Sequence, residues 1–297
     1  MNNFMKQWSF LLWLLVAVDC GVAAPGADVK FYAAHGVVQQ VAADRRQVMI
    51  HHQAIPGYMM EMTMDFSVKD TNDLAGISAG DEINFTLAVD ENESWVKNLQ
   101  LVTHHVGAVT NNTFVFHADS PELAPGDLLP DGTLMTETGS EIHFSDFRGR
   151  ALAFTFFFTR CPLPDYCPRM NRNFAETRQL LLSDPNAPTN WQFLSISFDP
   201  DYDQPDVLSR YAGSYRGDDA RHWLFATAST NTLANLAPRV DLVVMRQGAN
   251  ISHNMRTVVL DPQGRIASQF DGNNWTPRQL ADAIMQAARG THQLAPP

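Results

Sequence analysis

The sequence predicts two domains of different class, a small all-β barrel followed by a mixed α/β layer domain. Three observations predict them. Short, partly alternating apolar runs recur at regular spacing between residues 31 and 105, the pattern of a small barrel. From about residue 124 apolar strand-like runs alternate with amphipathic segments, which gives helices layered on a sheet. A chain of 297 residues is long for one small domain and suits two of unequal size.

The first stretch reads as an export signal. Lys6 lies in a short polar head, and an apolar run from Phe10 to Val18 leads to the small residues Gly21 to Ala24. That run is shorter than the ~20 residues a spanning helix needs. Residues 1–24 are therefore expected to be a signal peptide, with a retained membrane anchor as the alternative. Removing it would take Cys20 and leave Cys161 and Cys167 as the only thiols. Two thiols in an oxidising compartment tend to pair. A loop this small stabilises a fold little, so function is a better reason for the pair than stapling.

In the first domain the strands are read in FYAAHGVVQQV, RQVMIHHQAI, MTMDFSV, DEINFTLAV and WVKNLQLV, with turns such as Ala79-Gly80-Asp81 between them. Residues 106–123, rich in Pro, Gly and Asn, read as a linker. Over 124–290, ALAFTFFF and WQFLSISFD are continuous apolar runs, the mark of buried central strands. CPRMNRNFAETRQLLLSD and a segment from Gln204 to Tyr215 fit helices. RTVVLDPQGRIASQF is a hairpin turned at Asp261-Pro262-Gln263-Gly264. The last helix opens on Thr276 with Pro277 behind it and closes at Gly290. Residues 291–297 form a tail. Trp191, Trp223 and Trp275 read as packing residues.

The balance of 21 Lys+Arg against 32 Asp+Glu, a net charge of −11, argues against nucleic acid as a partner, since phosphate backbones are repelled.

Two clusters carry chemistry. The first is HHQAIPGYMMEMTMDF, residues 51–66, where four of the chain's 12 methionines fall within six positions. Met62 and Met64 alternate, so on a strand both thioethers face one side. Thioether sulfur is soft and prefers Cu(I); a neighbouring imidazole would complete a three-coordinate site. Core filling by methionine is the competing explanation, but Glu61 and Thr63 interleave, so one strand face is wet. The second cluster is Cys161 and Cys167, set between the buried run 151–158 and the next helix. The positive end of a helix stabilises thiolate there, and thiolate is both a disulfide-exchange nucleophile and a soft metal ligand. A structural disulfide is the alternative from spacing alone.

The first cluster resembles the periplasmic copper/silver-binding domain of the CusF type, an OB-like barrel. The resemblance implies His52, Met62 and Met64 as Cu(I) ligands, with His51 as the alternative imidazole. The family's best-known members carry a Trp lid three residues before the first Met; Met59 stands there in this chain, so Met59 or Met60 is expected as an extra thioether contact and Tyr58 as a cap. The second cluster belongs to a longer likeness. TFFFTRCPLPDYCPRM, SISFDPDYDQP and SHNMRTVVLDPQGRI resemble, in order, the Sco/SenC family of thioredoxin-like copper chaperones. The resemblance implies an α/β thioredoxin-like fold over 124–290 and copper bound by Cys161, Cys167 and His253. It places Asp199 and Asp203 in support. It implies as partner a copper-accepting subunit of a terminal oxidase, with a copper-efflux component as the alternative. The family's usual C-x3-C is C-x5-C here. The main functional expectation is an exported, periplasmic or membrane-attached metallochaperone that binds Cu(I) or Cu(II), delivers it to or supports assembly of a cytochrome oxidase copper site, and has a role in copper homeostasis. The alternative is a thiol–disulfide oxidoreductase, with Cys161 attacking and Cys167 resolving.

Overall fold

The computed structural model describes residues 28–104, 122–247 and 250–290. The expected signal segment, the linker up to residue 121 and the tail lie outside the described residues. Among those described, no helix is long and apolar enough to cross a membrane.

The N-terminal unit is one antiparallel sheet. Its strands are β1 (Lys30–Val41), β2 (Gln47–His52), β3 (Met62–Ser67), β4 (Glu82–Val89) and β5 (Ser94–Thr103), in the order β3-β2-β1-β4-β5. The sheet curls until a single parallel bridge, Val68 to Val96, joins its two ends. The result is a partly open five-stranded barrel, as OB-like folds are. Strict alternation fixes its interior. Val48, Ile50 and His52 on β2 and Met62, Met64 and Phe66 on β3 are buried, while the residues between them are less so. The register sets His52 beside Met62 and Ile50 beside Met64. Gly36 on β1 pairs with His52. A Cβ there would meet the His51 carbonyl oxygen at 2.5 Å and the His52 Cα at 2.8 Å. Only a glycine lets β1 come this close to the histidine end of β2.

The C-terminal unit has a seven-stranded sheet in the order β14-β13-β8-β9-β10-β6-β7. A hairpin of β6 (Thr133–Thr136) and β7 (Glu141–His143) forms one edge. Next come β8 (Ala151–Phe157), α1 (Cys167–Ser183), β9 (Trp191–Ser197), α2 (Pro205–Arg216), β10 (Trp223–Ala228) and α3 (Thr230–Leu236). A separate hairpin of β11 (Val244–Gln247) and β12 (Asn250–His253) precedes β13 (Arg256–Leu260), β14 (Ile266–Asp271) and α4 (Pro277–Ala288). Strands β8, β9 and β10 are parallel to one another, β13 runs antiparallel to β8, and β14, antiparallel to β13, runs in the direction of the central strands again. This is the thioredoxin arrangement with an added edge hairpin. Every residue of β8 and β9 is buried, as expected of strands covered on both faces. Trp191, Trp223 and Trp275 are core residues. Helix α4 has the expected Thr276 cap, whose hydroxyl accepts from the Gln279 amide while Gln279 answers the Thr276 N–H.

The sequence reading missed both hairpins, β6–β7 and β11–β12. Each is made of strands of three or four residues, too short for an alternating pattern to show.

Gly36→Ala is expected to lower the unfolding free energy by about 1–3 kcal/mol through overpacking, measured by urea denaturation. The loss should concentrate in the β1–β2 pair, seen as faster amide exchange there.

Candidate metal centre

The thioredoxin-like unit delivers its cysteines where a buried strand ends and a helix begins. β8 ends at Phe157, Cys161 follows with its amide bonded to the Phe158 carbonyl (3.3 Å), and Cys167 opens α1. Both are free thiols; Cys161 is partly exposed and Cys167 fully buried. Their environments split their acidities. Burial pushes the Cys161 thiol up, but hydrogen bonds from the Cys167 side chain and backbone outweigh this and leave it below the usual thiol value. Cys167 is pushed well above that value, first by burial and then by donating to Cys161. Of the pair, Cys161 is thus the sulfur that gives up its proton more readily.

His253 closes this group from β12. Its Nε2 lies 3.8 Å from the Cys167 sulfur, and its Nδ1 donates to the Asn254 carbonyl at 2.7 Å. That second bond fixes the tautomer and leaves the Nε2 lone pair facing the cysteines, the arrangement usual for a metal-binding imidazole. Phe158 and Phe198 pack against the ring, and burial lowers its pKa to about 4. The ring is therefore neutral at neutral pH. Asp199 and Asp203 hold the entry to the loop. Asp203 accepts from the Thr159 amide and hydroxyl and from the Ser197 hydroxyl, and Asp199 pairs with Arg160 at 2.6 Å.

The barrel contributes the second donor set. His52 donates through Nδ1 to the Gln53 carbonyl at 2.8 Å, and its buried Nε2 has no hydrogen-bond partner. Burial lowers its pKa as well. His52 shares the interior face with Met62 and Met64. His51 faces the other way and is occupied by Thr63 (3.0 Å) and Glu61 (3.1 Å). Of the two imidazoles, only that of His52 lies beside the thioethers. Met59 is buried and Met60 is 45% exposed. Tyr58 stacks on Tyr32 at 4.2 Å and donates to the Pro162 carbonyl at 3.0 Å, so its hydroxyl is spent on the cysteine loop.

The two donor sets meet. A cavity of about 10 Å³ is lined by Met62 and Met64 from the barrel and by Cys161 and His253 from the thioredoxin-like unit, with Phe158 and Tyr166 as walls. Cys167 sits behind it, within reach of His253.

The residues that create this meeting were missed in the sequence reading. All lie in or against the C-x5-C loop. Leu163 is fully buried in the core of the barrel. Asp165 accepts from the Ser94 hydroxyl at 2.7 Å, and the Tyr166 hydroxyl donates to the Asp65 carbonyl. The available signal was composition: a leucine and a tyrosine in a surface loop next to a reactive pair have no reason to be apolar unless something covers them.

Two thiols and a neutral imidazole at the β8–α1 junction of a thioredoxin-like unit offer donors suited to a soft metal or to dithiol exchange. The comparisons narrow the class. The family model SCO1/SenC matches residues 122–289, and the model described as copper binding periplasmic protein CusF matches residues 32–101. The chain belongs to the SCO1/SenC family. It is 25% identical over 173 residues to the mitochondrial protein SCO2 homolog of Mus musculus, covering 56% of this chain and 64% of that protein. The Homo sapiens counterpart is 25% identical over 150 residues, covering 47% and 52%. The chain thus spans less than two thirds of the length of these relatives. Among solved structures it is similar to Arabidopsis thaliana ScoI with copper bound, with TM-score 0.48 and 17% identity over 56% of this chain and all of that one.

In the metal-free reduced protein, the unfolded chain binds a proton at His253 near pH 6.5 and the folded chain only near 4. The unfolded state therefore holds more protons between these values, and stability should rise with pH across this window and level off above it. His253→Asn should flatten part of that slope in a series of urea melts.

Proposed function

We propose that this chain is an exported copper metallochaperone. It carries copper on Cys161, Cys167 and His253 and takes it up or exchanges it through His52, Met62 and Met64. The observation that carries the reading is the dithiol–imidazole group, with His253 Nε2 aimed at Cys167 from 3.8 Å. The donors fit copper as cargo. Thiolate, thioether and neutral imidazole are soft or borderline ligands that favour Cu(I) over hard cations. Both histidines offer Nε2 because Nδ1 is bound to the following residue's carbonyl. The thioethers carry no proton and form no disulfide, so they suit an oxidising compartment. Membership in the SCO1/SenC family and the CusF match support copper, and the latter's description supports the periplasm. The partner we favour is the copper-accepting subunit of a terminal oxidase, so that delivery supports assembly of a cytochrome oxidase copper site. A copper-efflux component is the alternative acceptor.

Cys161 and Cys167 also support a second reading, as a thiol–disulfide oxidoreductase that reduces the acceptor's cysteines. The observation favouring it is the split in acidity: the more acidic thiol is the partly exposed Cys161, suited to attack, and the less acidic one is the buried Cys167, suited to resolve.

One variant separates the two. His253→Ala is expected to weaken copper retention by about 10-fold or more, read by chelator competition, while exchange with a small disulfide stays within about twofold, because the imidazole takes no part in sulfur–sulfur attack. Unchanged copper retention would remove His253 from the site.

Cu(I) titration of the reduced protein supplies a second check. Cys161→Ser with Cys167→Ser should lower Cu(I) affinity by at least about 100-fold at the thioredoxin-like centre, read by the same competition. Full retention would leave a redox protein with a separate copper-binding barrel.

A further inference from the structure

We infer that the two donor sets form one composite Cu(I) pocket, in which Met62 and Met64 of the barrel and Cys161 and His253 of the thioredoxin-like unit bind the same ion. Copper then passes between the units by ligand exchange without leaving the protein. The inference rests on the reading above that the chain carries copper.

Four observations carry it. First, the cavity between the units, about 10 Å³ and so suited to a single water-sized particle, has four potential soft-metal ligands among its lining residues, Met62, Met64, Cys161 and His253, beside Phe158, Pro162 and Tyr166. Second, the barrel's imidazole is on the same face: His52 pairs with Met62 across β2 and β3, and its Nε2 is buried without a partner. A buried polar atom left unpaired costs free energy unless a ligand satisfies it.

Third, the units are held in register at this point. Tyr58 bonds to Pro162, Ser94 to Asp165 and Tyr166 to Asp65, and Leu163 inserts into the barrel core. All of these contacts use the C-x5-C loop, so its length has a structural purpose: it is the docking element between the units. Fourth, β12, which ends in His253, packs beside β3, which carries the methionines.

Exchange across the pocket balances simply. Copper stays Cu(I) and no electron moves. As the Cu–S bond to Cys161 forms, any thiol proton goes to solvent and one barrel ligand, the His52 nitrogen or a thioether, is released. The reverse steps return the ion. Only the dithiol form can take part.

The test uses the full chain, reduced and metal-free, with Cu(I) itself as probe in competition against a chromogenic Cu(I) chelator. The variants are Met62→Leu with Met64→Leu, Cys161→Ser, their combination, and Tyr58→Phe with Ser94→Ala, which keeps every ligand but loosens the docking. Methionine ε-methyl NMR signals report both folding and thioether ligation. The composite pocket requires that the methionine and cysteine variants each weaken the first equivalent at least tenfold. Their combination should lose less than the product of the two, and the docking variant should also weaken the first equivalent. In the wild type, one equivalent should shift the Met62 and Met64 methyl signals, and Cys161→Ser should alter that shift.

Multiplicative losses, or a first equivalent weakened by only one of the two sets, would mean independent sites. That would overturn the shared pocket while leaving a copper carrier. No competitive Cu(I) binding by the wild type would overturn the carrier reading and the pocket with it.

Discussion

The site depends on one packing interaction, the burial of Leu163 from the cysteine loop in the core of the barrel. Fully removing a leucine side chain from water is worth about 1.5–3 kcal/mol, more than any one of the polar contacts around it, since a typical hydrogen bond contributes about 1 kcal/mol net. Tyr58, Ser94 and Tyr166 then give the contact its direction, because their hydroxyls reach specific acceptors on the opposite unit. The loop starts at Cys161 and ends at Cys167. Anchoring its middle therefore positions both sulfurs relative to Met62 and Met64.

Both histidines solve one problem in the same way. A buried imidazole must be neutral to offer a lone pair, and it must offer it in a fixed direction. Burial supplies the first condition by lowering the pKa of His52 and of His253. The carbonyl of the next residue supplies the second by taking the Nδ1 proton. The two rings come from different folds, one at the end of β2 and one at the end of β12. In both cases the strand's end frees a carbonyl from the ladder to act as acceptor.

Much of this was legible in the sequence because it depends on period. The M-x-M alternation put Met62 and Met64 on one face; His52 came from family resemblance with His51 left open, and the register of β2 against β3 decides for His52. The apolar run 151–158 located the central strand, and hence the junction that holds Cys161 and Cys167. His253 came from family resemblance alone, since β11 and β12 are too short to show a pattern. The meeting of the two units left no periodic trace. It is a tertiary match between a loop and a barrel surface, spelled in single residues such as Leu163 and Tyr166. The extra loop length looked like a departure from the family spacing, and only the contacts of residues 162–166 give it a purpose.

Docking also shapes how a cargo ion could be reached. Cys167 is sealed behind the pocket, Met62 and Met64 are nearly so, and Cys161 keeps part of its surface in solvent. In the proposed carrier, an incoming ligand would therefore meet Cys161 first, which is also the more acidic of the two thiols. Exchange of a soft ion proceeds through a shared-ligand step, so one reachable donor backed by several buried ones favours retention without blocking release. Holding the two donor sets on one chain at contact distance raises their effective concentration for each other far above that of a free partner. In the proposed carrier, the barrel would thus load the thioredoxin-like site by proximity, and departure of the ion would require a partner that engages Cys161 directly.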